Sequence, residues 1–78
     1  MTLYDLANAT TIQGNVEVRV FSCGEELIKF QYPDCEDFAY SGYRNEDYAV
    51  EDMDVLFMYS IEGDGRKIWT VVEVEAND

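Results

Sequence analysis

An α+β fold, with one short amino-terminal helix packed on a four-stranded antiparallel sheet made of two hairpins, is predicted by three features of the sequence. A capped apolar stretch opens the chain, four later segments are apolar at every second position, and glycine-containing turns divide those segments into pairs. With 78 residues, 47% of them hydrophobic and 14% aromatic, the chain has apolar area for one small core, which separates it from acidic disordered tails. It reads as a single domain over residues 1–78.

The helix begins at Thr2, whose hydroxyl is placed to cap the first turn, with Asp5 at the positive end of that turn. Leu3, Leu6 and Ala7 share a face, and the β-branched Thr10, Thr11 and Ile12 followed by Gly14-Asn15 end the helix near Asn8. From Asn15 to Phe21, Val16, Val18 and Val20 alternate with Glu17, Arg19 and Phe21, the period of a half-buried strand. Ser22-Cys23-Gly24-Glu25 is a turn, and Leu27 to Tyr32 forms the second strand, ended by Pro33 because proline cannot donate to a ladder. Val55 to Ile61 is the third strand, with Val55, Phe57, Tyr59 and Ile61 on one face and Leu56 and Met58 on the other. Glu62-Gly63-Asp64-Gly65 turns the chain into the fourth strand, Ile68 to Glu75, which sets Ile68, Thr70, Val72 and Val74 against Trp69, Val71, Glu73 and Glu75. The fold is expected to depend on Val18, Val20, Phe57, Val72 and Trp69. A second apolar face of Phe21, Leu56, Met58, Trp69 and Val71 is left for a loop or a second copy of the chain to cover.

Between the two pairs of strands lies a long loop, Asp34 to Asp54, which is acidic and rich in aromatics. It holds eight acids and a single base, Arg44, and so carries seven of the twelve net negative charges. A turn of helix is expected within it around Glu46 to Glu51.

That charge excludes more than it specifies. A net charge of -12, from seventeen acids and five bases, repels nucleic acid and anionic membrane, and no basic stripe accompanies the aromatics, so neither direct nucleic-acid nor membrane binding is expected. The first residues lack a basic region followed by an apolar run, and no stretch approaches the ~20 apolar residues that span a bilayer, so a cytoplasmic protein is expected. There is no histidine, and no Ser or Cys sits in a motif that would activate it, so the chain is read as a non-enzyme with no cofactor. Glu51, Asp52, Asp54, Glu62 and Asp64 supply oxygen ligands without the spacing of a calcium loop, and no metal site is read. Cys23 and Cys35 flank the second strand, too far apart for a disulfide, and are read as reduced thiols.

Carboxylates on a folded surface imitate the regular charge of a nucleic-acid backbone and attract basic protein surfaces, and tyrosines among them supply interface anchors. Glu36, Asp37, Tyr40, Tyr43, Glu46, Asp47, Tyr48, Glu51, Asp52 and Asp54 are the partner-binding candidates on that reading. It makes the chain a protein-binding module for a basic surface, in its sharpest form a nucleic-acid-mimicking inhibitor of a DNA- or RNA-handling protein. The alternative is a structural or assembly domain that forms a homodimer through its sheet.

Met1-Thr2-Leu3-Tyr4-Asp5-Leu6, Thr11-Ile12-Gln13-Gly14-Asn15 and Val16-Glu17-Val18-Arg19-Val20-Phe21 together resemble the start of small uncharacterised acidic proteins of Gram-positive gut bacteria, often encoded in phage or conjugative elements. The resemblance covers about the first quarter of the chain. It implies a mobile-element setting, in which acidic inhibitors of host nucleases occur, and carries over no functional residue.

Overall fold

The computed structural model describes residues 1–40 and 49–76. Helix α1 (Leu3–Ala9) starts from a capping box: the Thr2 hydroxyl accepts from the Asp5 amide at 3.1 Å, and the Asp5 carboxylate accepts from the Thr2 amide at 3.1 Å. Four strands follow, β1 (Gly14–Ser22), β2 (Glu25–Cys35), β3 (Asp54–Glu62) and β4 (Ile68–Glu75), with 3-10 turns at Phe38–Tyr40, Val50–Asp52 and Asp64–Arg66.

The fold is α+β, and its sheet is mixed, where the alternation predicts a purely antiparallel one. The spatial order is β2-β1-β4-β3: β1 pairs antiparallel with β2, β3 pairs antiparallel with β4, and the central strands β1 and β4 run parallel, with Val16 beside Thr70, Val18 beside Val72 and Val20 beside Val74. The physical reason lies in which strands are most apolar. Val16, Val18, Val20, Val71, Val72 and Val74 are all fully buried, so β1 and β4 take the centre, where parallel pairs are protected, and β2 and β3 take the edges.

Pro33 does not end β2, which continues to Cys35. An edge strand tolerates a proline on its unpaired side, and the register between β1 and β2 slips here, from Val16 opposite Tyr32 to Gly14 opposite Cys35. Asp34 takes a left-handed conformation at the slip (φ 54°), and its amide donates to the Asn15 side chain at 3.0 Å.

The core lies between α1 and one sheet face. Leu3 and Ala7 of α1, Ile12, Phe38, Val50 and Met53 pack against Val16, Val18, Val20, Val72 and Val74, with Ile28, Phe30, Tyr32 and Val55 at the margin. The Phe38 ring meets Tyr32 edge-on, with centroids 5.4 Å apart. Both described ends of the 34–54 segment therefore join the helix side of the sheet.

The predicted face of β3 is corrected by a bulge. The register shifts between Val55 and Phe57, so Val55 stays opposite Val74 while Phe57 lies opposite Glu73, Met58 opposite Val72 and Tyr59 opposite Val71. One extra residue exchanges the faces from there on. Phe57 leaves the core and is 65% exposed, and Met58 moves to the helix side, where it too is exposed. Trp69 is half-buried beside Ile61 on the face away from the helix, the face on which its alternation with Thr70 and Val72 predicts it.

Gly63, in the β3–β4 connection, has an extended backbone (φ -96°), and its requirement is steric. A β-carbon there would stand 2.8 Å from the Trp69 ring. Gly63→Ala is expected to displace the indole at a cost of about 1 to 2 kcal/mol, the range of mild overpacking. Because Trp69 is the only tryptophan, its fluorescence reads the shift directly; an unchanged emission spectrum and melting temperature would show that the turn absorbs the methyl.

Candidate functional site

The acidic segment is anchored from both sides. After β2, the Phe38 amide donates to the Ile12 carbonyl at 2.9 Å, and the Asp37 carboxylate accepts from the Ala39 amide at 3.1 Å. Before β3, the Leu3 amide donates to the Met53 carbonyl at 2.9 Å and the Val55 amide to the Met1 carbonyl at 2.8 Å, which makes Thr2 and Asp54 an antiparallel bridge. Buried Phe38, Val50 and Met53 pin this backbone down, with Asp37 and Glu51 half-buried beside them and Glu36, Asp52 and Asp54 exposed.

Of the predicted partner-binding residues, Glu36 is exposed beyond the end of β2, and Asp37 is half-buried beside the carboxyl end of α1, in a cleft it shares with Asn8 and Thr11. Tyr40 closes the turn Phe38–Tyr40. Glu51 and Asp52 lie in the turn Val50–Asp52, half-buried and exposed respectively, and Asp54 is exposed at the start of β3. Tyr43, Glu46, Asp47 and Tyr48 lie outside the described residues, as does most of the helical turn expected around Glu46 to Glu51. The described candidates thus belong to two short segments, 36–40 and 51–54, both packed against α1's side of the molecule.

The other face of the sheet holds a polar network that sequence reasoning missed. Glu17, the one charged residue that is buried among those described, accepts from Arg19 Nε at 2.6 Å and from Gln31 Nε2 at 2.9 Å. Arg19 Nη1 donates to the Tyr59 hydroxyl at 3.2 Å, and that hydroxyl donates in turn to the Glu73 carboxylate. Gln31, Glu17 and Arg19, Glu73, and Tyr59 come from β2, β1, β4 and β3 in order, so the chain of hydrogen bonds crosses all four strands. The available signal was the Glu17-x-Arg19 spacing, which puts opposite charges on one face of one strand.

Burial pushes the Glu17 carboxyl up, but the bonds from Gln31 and Arg19 outweigh it and hold the group below its ordinary value. The hydrogen bond to Glu73, with burial adding to it, pushes the Tyr59 phenol up. At neutral pH Glu17 is ionised and Tyr59 protonated, the states in which each bond has its donor and acceptor, and both shifts widen the pH range over which those states persist.

Three of the bases, Arg19, Lys29 and Lys67, line a groove of about 440 Å³ on this face together with Gln31 and Trp69. Glu17 and Asp64 line the same groove and Glu26 lies 3.9 Å from Arg19, so the bases of this face stand among acids, whereas Glu36, Asp37, Glu51, Asp52 and Asp54 occupy segments on the helix side that hold no described base. Cys23 is exposed in the β1–β2 turn; Cys35 is buried at the far end of β2, where its thiol donates to the Tyr32 carbonyl at 3.2 Å. Among the described residues, no group of three or more Cys, Asp or Glu is placed to hold a metal ion, and no helix is long and apolar enough to cross a membrane. No family model, curated protein or solved structure matches the chain.

Proposed function

We propose that this chain is a non-enzymatic module that binds a basic protein surface through its acidic segment, residues 34–54. The observation that carries the reading is the concentration of charge: acids outnumber bases eight to one in that segment, while Arg19, Lys29, Arg66 and Lys67, on the opposite face of the sheet or in the β3–β4 turn, each stand among other acids. Packing of Phe38, Val50 and Met53 supports it as well, because fixed carboxylates make a more specific pattern than a floating tail does. A nucleic-acid-mimicking inhibitor of a DNA- or RNA-handling protein, encoded by a mobile element, is the most specific form of the proposal.

The test is co-purification of the partner from source cells, followed by association kinetics over a salt series. Raising salt from low to moderate strength is expected to slow association by about tenfold or more, since exposed charges mainly steer encounter. Replacing Glu46, Asp47, Glu51 and Asp52 together by their amides is expected to slow association more than it speeds dissociation. Affinity that is indifferent to salt overturns the reading.

Self-association through the sheet is a second reading, favoured by one observation: Leu56, Phe57 and Met58 are all exposed on β3. Sedimentation at low and moderate salt separates the two, because only the second requires a dimer of the chain alone.

A further inference from the structure

We infer that the outer edge of β3 from Leu56 to Ile61 is a strand-addition site, which takes an extended, uncharged segment of a partner whose carboxyl-terminal flank carries Lys or Arg. The inference rests on the proposed function and names the surface and the partner's chemistry. β3 is a terminal strand of the sheet, paired only with β4 over most of its length. The outer side of its first residues is taken by the Met1–Leu3 segment, through the Thr2–Asp54 bridge and the bond from the Val55 amide to Met1. Beyond that point, no described residue pairs with the outer side.

Exposed edges are ordinarily blunted by lysine, proline or an inward charge. The other edge strand has these: β2 carries Lys29, Pro33, Glu25 and Glu26. Leu56-Phe57-Met58-Tyr59-Ser60-Ile61 has no charge, no proline and no glycine, in a chain of which 28% of residues are charged. As successive strand residues, Phe57 and Met58 point to opposite faces, and both are exposed, so an added strand finds an apolar neighbour on each side of the sheet.

Charge decides which occupant fits. Glu51, Asp52 and Asp54 stand at the beginning of β3, whereas at its other end Glu62 and Asp64 are balanced by Arg66 and Lys67. An incoming strand therefore meets an acidic end and a neutral end. Both pairings that β3 already makes, with β4 and with the amino-terminal segment, are antiparallel; in that direction the acidic end faces the partner's carboxyl-terminal flank. A second copy of this chain brings another -12 to the contact, which a basic-flanked strand does not.

The probes are synthetic peptides of alternating Val and Thr, about eight residues long, followed by two lysines at the carboxyl end. Controls carry the lysines at the amino end, replace them by glutamates, or place a proline in the middle. Titration of the full chain followed by amide hydrogen exchange is expected to show protection confined to Leu56–Ile61, with affinity at least tenfold weaker for the proline and glutamate peptides. Met58→Lys and Leu56→Lys, both at exposed positions, are expected to weaken binding by about tenfold without lowering the melting temperature. Salt-sensitive binding that ignores the proline and the two lysine variants overturns the edge site but leaves the acidic module standing. Equal binding of the glutamate peptide overturns the charge reading for both. A concentration-dependent dimer of the free chain, with protection at the same amides, replaces the partner strand by a second copy and overturns the inference.

Discussion

Phe38→Ala is expected to destabilise the protein by about 3 to 5 kcal/mol, whereas Phe57→Ala is expected to cost less than about 1 kcal/mol, although both remove the same atoms. Phe38 is fully buried between α1 and the sheet, with Tyr32 against its ring, and its removal leaves a cavity that the rigid strands cannot close. Phe57 already stands mostly in water. For a domain of this size the first loss amounts to a large part of total stability, and it corresponds to a fall in melting temperature of roughly 4 to 8 °C per kcal/mol. Denaturant melts of the two variants compare them directly. Similar losses for both would mean that the bulge in β3 does not exist and that Phe57 faces the core.

The second large effect is expected at Glu17. Glu17→Ala leaves Arg19 and Gln31 without their shared acceptor beneath the open face, and a loss of about 2 to 3 kcal/mol follows at neutral pH. The figure lies below that for a fully buried ion pair because the Arg19 side chain is about one quarter exposed and regains some water. The folded-state pKa of Glu17 is depressed, so the stability its charge supplies is complete above the ordinary carboxylate range and drains away as the pH falls through the lower, folded value. Tyr59 works in the opposite sense: its raised pKa favours the protonated phenol, and that contribution is lost as the pH rises beyond the usual tyrosine value, near 10. Urea melts of the wild type and of Glu17→Gln across acidic pH check the first limb. The gap between the two proteins is expected to close as the solution becomes more acidic, and a gap of constant size would show that the carboxylate's charge is not what stabilises.

Local chemistry was legible, and long-range pairing was not. Thr2 and Asp5 identify the capping box, and the alternation around Val16, Val18 and Val20 identifies the buried face of β1, because each depends on neighbours a few residues apart. The strand Ile68–Glu75 has its expected bounds for the same reason. Nothing local distinguishes a parallel from an antiparallel neighbour, so the direction of β4 beside β1 could not be read. A bulge has no required residue type, and Leu56 looks like any alternating strand position, which is why Phe57 was placed on the wrong face. Pro33 looks like a stop in the sequence because its place at an edge depends on strand order. For the candidate site, composition identified the acidic segments, while the arrangement of Gln31, Glu17, Arg19, Glu73 and Tyr59 required the register of all four strands.

The parallel seam between β1 and β4 also sets the order in which the chain can fold. Each antiparallel pair joins strands adjacent in sequence, so closing either one costs little chain entropy. The seam brings Asn15 beside Trp69 and Phe21 beside Glu75, and it has to close a loop that includes β2, the acidic segment and β3. Until Ile68–Glu75 has left the ribosome, the Val16-Val18-Val20 face of β1 lacks the strand that completes its sheet, and the nascent chain exposes valine-rich backbone with free hydrogen-bonding groups.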